Sequence, residues 1–235
     1  MIKKALIILS FFLMITLSPT ILAAAEKDYL TEQEVRSISF ENLNTIYQDV
    51  KGSISHYTEH EFNLLVTQKI RDFLEIEQDT ILPLGYELPG GLRITQAEVN
   101  LAKSNPGEFT IYGSTALAAI NLSEAIYNSG LSQGNGDAFR HAYWNAILVQ
   151  EFGAVTRGPA YGVERAEIWT TAHESESSGI DKEMDLYNNY VGREIGYFNY
   201  TQSRTHISNT LQTLVNQGTL VRIVNNRLVA TDSTK

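Results

Sequence analysis

The chain has 235 residues, with 27 acidic against 18 basic side chains, a net charge of −9, 43% hydrophobic residues and no cysteine. The missing thiols exclude disulfide staples and thiolate metal ligands, so stability has to come from a packed core, which this apolar content can build. The negative field excludes non-specific capture of nucleic acid or anionic membrane by a basic patch, while a phosphorylated substrate drawn to a metal stays open.

Lys3 and Lys4 precede an apolar run from Ala5 to Leu17, and Ala23-Ala24-Ala25 offers a small-residue cleavage signal before Glu26. Residues 1–25 are therefore expected to be a signal peptide, and the mature protein to be exported. Ser18, Pro19 and Thr20 interrupt the run before it reaches the ~20 apolar residues of a spanning helix, so no stable membrane span is expected after cleavage. No cysteine follows the run, which excludes a lipid-anchored form. Losing Lys3 and Lys4 leaves 16 basic against 27 acidic side chains, a mature net charge of −11.

Residues 26–92 read as an N-terminal helical region and a linker. Val35, Ile38, Phe40, Leu43 and Ile46, then Phe62, Leu65, Ile70, Phe73 and Leu74, recur at helical spacing and predict two helices between Leu30 and about Leu74. His56 and His60 stand four apart, a metal-binding spacing, but lie in a polar connection near Gly52 with nothing apolar to shield them, so they read as surface residues. The stretch from Ile81 to Gly91 holds two prolines and three glycines and predicts a loop with a soft domain boundary.

Residues 93–200 form the motif-bearing helical domain. Thr95-Gln96-Ala97-Glu98 resembles a capping box opening a helix to Ser104, which Pro106-Gly107 is expected to end. Further helices are predicted from about Ser114 to Asn128, from Asn135 or Asp137 to Phe152, from about Gly162 to Ser175, and along the Met184, Tyr187, Val191, Ile195 and Phe198 stripe. Residues 201–235 add one helix through Ile207, Leu211, Leu214 and Val215, closed by Gly218. Two alternating runs follow around Asn225-Asn226, whose tolerance of positive φ suits a two-residue hairpin turn. The predicted fold class is mainly α, a helical domain with a short C-terminal β-hairpin.

Three polar clusters interrupt these helices. Asp137, His141 and Asn145 fall at i, i+4 and i+8, with Arg140 and Trp144 on the same side and Ala138, Phe139, Ala142 and Ala146 opposite. A merely solvated face has no need of Trp144, so both sides are expected to be buried, and buried Asp, Arg, His and Asn must be paired or bind something. His173 and Glu174 lie near the end of the next helix, where side chains can converge; His173 is the better candidate, while Glu174 fits a second ligand, a general base or an exposed residue. On the third helix Asp185, Asn188 and Asn189 share a face with Gly192 and Gly196, and Arg193 can pair with a carboxylate or receive an anion bidentately. Each glycine costs about 1 kcal/mol in a helix interior, so a helix backbone or a ligand must approach that face.

The runs Asp137 to Ala146 (DAFRHAYWNA), Ala172-His173-Glu174 and Met184 to Arg193 (MDLYNNYVGR) resemble a bacterial family of unknown function, found in exported proteins and as C-terminal domains of wall-associated or toxin-like polypeptides. The resemblance covers about residues 94–200 and implies an extracytoplasmic setting, but no reaction. A looser similarity is to metal-dependent phosphohydrolases that use a His, a His-acidic pair and a later Asp. His141, His173-Glu174 and Asp185 follow that order, with His-Glu in place of His-Asp and a short spacing to Asp185. Zinc phospholipases and nucleases with helical sites are a further analogy without matching spacing.

The leading expectation is a secreted metal-assisted hydrolase of a phosphoester, lipid or cell-envelope bond. His141, His173 and Asp185 would hold one divalent cation, zinc first. Glu174 or Asp137 would handle the proton, with Arg140 or Arg193 stabilising negative charge. Trp144, Asn145, Asn188 and Asn189 complete the expected site. The alternatives are a non-enzymatic helical envelope-associated or binding domain whose clusters form a buried structural network, and metal-free acid/base catalysis by His141 and Asp137. The sequence leaves the oligomeric state open.

Overall fold

A computed structural model describes residues 28–77, 94–154 and 157–234. The expected signal peptide and the Pro/Gly-rich linker lie outside the described residues. Among those described, the elements run α1 (Glu32–Ser37), α2 (Phe40–Val50), a 3-10 turn (Lys51–His56), α3 (Glu59–Glu77), α4 (Gln96–Ser104), α5 (Pro106–Ile126), α6 (Asn135–Ala154), α7 (Gly158–His173), α8 (Gly179–Phe198), α9 (Arg204–Asn216), β1 (Val221–Val224) and β2 (Arg227–Ala230). The fold is mainly α with a C-terminal hairpin, as the sequence predicted.

Local chemistry accounts for most boundaries. Thr31 with Glu34 and Thr95 with Glu98 each form a reciprocal capping box, satisfying backbone N–H groups that have no partner at a helix start. The hairpin pairs Val221 with Ala230 and Val224 with Arg227, and its Asn225-Asn226 turn has φ of 50° and 57°, both in the left-handed region. Two expectations need correction. The first 50 residues of the described chain form three α-helices and a 3-10 turn rather than two helices, because Ser39 caps a separate α2. Helix α4 ends at Ser104 as expected, but Pro106 also starts α5, eight residues before the expected beginning: a proline fits the first helical position, where its missing N–H has no partner to lose.

One apolar core runs through the described elements, from Leu30, Leu43 and Ile70 to Phe109, Tyr112, Trp144, Trp169, Leu211 and Leu220. Helix α6 lies at its centre, against α5, α7, α8 and α9, and 16 of its 20 residues are buried. Glycine sets the closest approaches. A Cβ on Gly192 or Gly162 would collide with the carbonyl oxygen of Ala142 or Val149, and one on Gly196 would fall 2.6 Å from that of Ala146. The glycine face of α8 is therefore explained by the backbone of α6. No described helix is long and apolar enough to cross a membrane.

Candidate metal centre

The first turn of α6 carries Asp137, held at both carboxylate oxygens. Gln133, a non-glycine residue at φ 62°, donates its backbone N–H to Oδ2 at 2.6 Å, and Arg140 Nη2 pairs with Oδ1. The loop that aims Gln133 is hooked to the hairpin, since Ile223 N–H donates to the Gln133 carbonyl at 2.8 Å. One turn on, His141 is 2% exposed. Its Nε2 lies 2.8 Å from Arg140 Nη2, 3.5 Å from Asp137 Oδ1 and 3.3 Å from Oδ1 of Asp185 on α8. Its Nδ1 lies 3.2 Å from Asn189 Oδ1 and 3.9 Å from Oε1 of Glu174, the residue that ends α7. The ring is thus clamped between three helices.

Asp137, His141 and Asp185 each offer a ligand atom, all within 4.8 Å of one another. The group differs from the expected ligand set by one residue: Asp137 stands where His173 was placed. His173 Nδ1 is 3.1 Å from Glu98 Oε1, and its ring meets Trp144 edge to face at 5.3 Å. Glu98 also accepts from the Thr95 N–H at 2.6 Å and from the Tyr112 hydroxyl. Burial disfavours both ions, but their mutual attraction outweighs it, holding the Glu98 carboxyl below and the His173 imidazole above their ordinary values. Glu98 and Tyr112 were missed in the sequence, where a helix cap fully accounted for the glutamate.

The electrostatics of the centre are uneven. Burial pushes Asp185 up to about 6, with the Glu174 and Asp137 charges adding to the shift. Burial also opposes ionisation of Asp137, yet the Arg140 guanidinium and the Gln133 N–H hold it well below the carboxylate range. Glu174 is 1% exposed, and its Oε1 has no hydrogen-bond partner; the same is true of Asn189 Nδ2. Around one imidazole there are three carboxylates and a single guanidinium.

The remaining expected residues divide in two. Asn145 donates to the His141 carbonyl at 3.0 Å and to Asn189 Oδ1 at 2.6 Å, while its own oxygen accepts from Thr170 Oγ1 at 3.1 Å and Arg193 Nη1 at 3.2 Å. These groups stand directly behind the ring. Trp144 and Asn188 serve the scaffold: the indole N–H donates to Thr115 at 3.2 Å, and the Asn188 amide spans both the N–H and the carbonyl of Val221 on β1. His60, once considered for its spacing, accompanies Tyr29 and is no part of the centre.

The fold and this site define a helical domain with a buried Asp/His/Asp centre. A family model described as a domain of unknown function, DUF6973, matches residues 99–219, and the chain belongs to that family. That match takes in α5 to α9 with all three candidate ligands and stops short of the hairpin. No curated protein and no solved structure matches the chain.

Proposed function

We propose that this protein binds one divalent cation through Asp137, His141 and Asp185 and is a hydrolase of a phosphoester, lipid or cell-envelope bond. The observation that carries the reading is the convergence of three ligand atoms within 4.8 Å, two of them from carboxylates, with the Glu174 carboxylate close by. Ligand chemistry supports the fit: one imidazole and two carboxylates suit zinc, and also manganese or another borderline cation. A cation there relieves the repulsion among Asp137, Asp185 and Glu174, and supplies an acidified water and a Lewis acid for hydrolysis. In phosphoester cleavage the water's oxygen goes to phosphorus and its protons are shared between the leaving oxygen and a base. Arg140, less buried than its partners, supplies positive charge for an anionic oxygen.

Elemental analysis of the full chain purified without chelator tests this reading. About one equivalent of metal, lost in Asp137→Asn and His141→Ala, is the expected result. Release of phosphate or fatty acid from model esters, abolished by chelation, would then identify the reaction class. A preparation that neither carries nor takes up a divalent cation would remove the proposal.

One observation favours a second reading. Arg140 Nη2 lies against both Asp137 Oδ1 and His141 Nε2, so a guanidinium already serves as the cation of the group. The polar cluster would then be a self-satisfied network within a non-enzymatic envelope-associated or binding domain. Thermal melts separate the two: chelator lowers the wild-type midpoint only where a metal is bound.

Export is proposed from the leader-like first 25 residues. Mass spectrometry of culture supernatant is expected to find a chain beginning near Glu26, and a full-length chain confined to membranes would overturn it.

A further inference from the structure

The groups behind His141 determine which ring nitrogen carries its proton. Arg193 can only donate, and its Nη1 lies 3.2 Å from Asn145 Oδ1. The Asn145 amide is fixed from both ends, its oxygen accepting from Arg193 and its nitrogen donating at 3.0 Å to the His141 carbonyl, which can only accept. Its N–H reaches Asn189 at 2.6 Å, which requires an acceptor there and fixes the second amide in turn. That same Asn189 oxygen lies 3.2 Å from His141 Nδ1, so the ring must donate to it. At the opposite edge Arg140 Nη2 approaches Nε2 at 2.8 Å, and a guanidinium cannot accept, so Nε2 must offer its lone pair.

We propose that Asn145 and Asn189 are positioning residues, anchored by Arg193 and by the His141 carbonyl, whose amides lock His141 as the Nδ1–H tautomer and aim the Nε2 lone pair at Asp137 and Asp185. Arg193 thereby acts through two amides. A ligating histidine commonly donates its second nitrogen to a neighbour that fixes ring and tautomer, and this chain supplies that neighbour from two helices, α6 and α8. The value of the lock to catalysis rests on the metal reading above; the tautomer itself does not.

The test uses the full chain labelled with 15N-histidine in buffer near pH 8. Long-range proton–nitrogen spectra distinguish a protonated from a bare ring nitrogen, and His141→Gln identifies the signals. Wild type is expected to show protonated Nδ1 and bare Nε2 at this residue. Asn145→Leu removes the donor that orients Asn189 and frees that amide to turn, so a mixture with protonated Nε2 is expected. Adding Asn189→Asp to that variant should restore the single Nδ1–H form, because a carboxylate accepts whichever way it faces; a merely structural asparagine would not be rescued in this way.

Protonated Nε2 in wild type overturns the proposal whether or not the variants fold. A folded Asn145→Leu that keeps the wild-type pattern overturns the role of the two amides. Zinc is then added to wild type, where a shift at Nε2 with Nδ1–H retained is expected. A spectrum unmoved by zinc, with Nδ1–H in place, leaves the lock standing and counts against the metal centre alone.

Discussion

Glu98 and His173 show how two costly buried ions become stabilising once they meet. The raised His173 imidazole contributes stability in full below its ordinary value of 6.5, and that contribution is lost as pH rises through the folded value. The lowered Glu98 carboxyl contributes above its ordinary 4.5, and its share is lost as pH falls through the folded value. The pair is thus worth most between about pH 4.5 and 6.5. Wild type is expected to lose more urea resistance than Glu98→Gln on going from pH 5.5 to 8.5, measured by fluorescence of the buried tryptophans. At the centre itself, His141→Ala should abolish any chelator effect on the melting midpoint. Asp137→Asn, which leaves Arg140 without its carboxylate, should cost up to about 3–5 kcal/mol in urea titrations if the pair is structural. Asp137, His141 and Asp185 were legible in the sequence because such side chains have no place on helices flanked by alanine and aromatics. The His173 partner was not, since Glu98 lies 75 residues earlier and contacts across helices leave no spacing to read.

Between elements, contact distance decides what each position tolerates. Gly192→Ala would drive a methyl group into the Ala142 carbonyl, forcing α8 away from α6. A cost of about 1–3 kcal/mol is expected from such overpacking, together with loss of metal uptake as Asp185 moves off His141. Asn188→Ala removes both hydrogen bonds to Val221, and about 1–2 kcal/mol of stability should be lost while metal content is unchanged. Helical periodicity made α6, α8 and α9 visible, and the paired asparagines between alternating runs marked the hairpin turn. Periodicity missed the start of α5 at Pro106, where one proline both follows the end of α4 and opens the next helix. The role of Gly192 and Gly196 was half visible: the pattern announced a close approach, and three dimensions identify α6 as the neighbour.

Across the molecule, the family region does not stand alone. Helices α2 and α3 pack on α5, whose Gly107 and Gly113 receive Phe62 and Leu43, while the hairpin braces Gln133 and Asn188 from the other side. A chain shortened to residues 1–219 is expected to melt earlier than the whole, with weaker metal uptake, since the Gln133 N–H that orients Asp137 loses its support from Ile223. Because α6 is enclosed on nearly every side, its backbone amides cannot reach water by fraying or by any local opening. Exchange of the amides from Ala138 to Val149 should therefore follow the free energy of global unfolding, and His141 rides on the last segment to come apart.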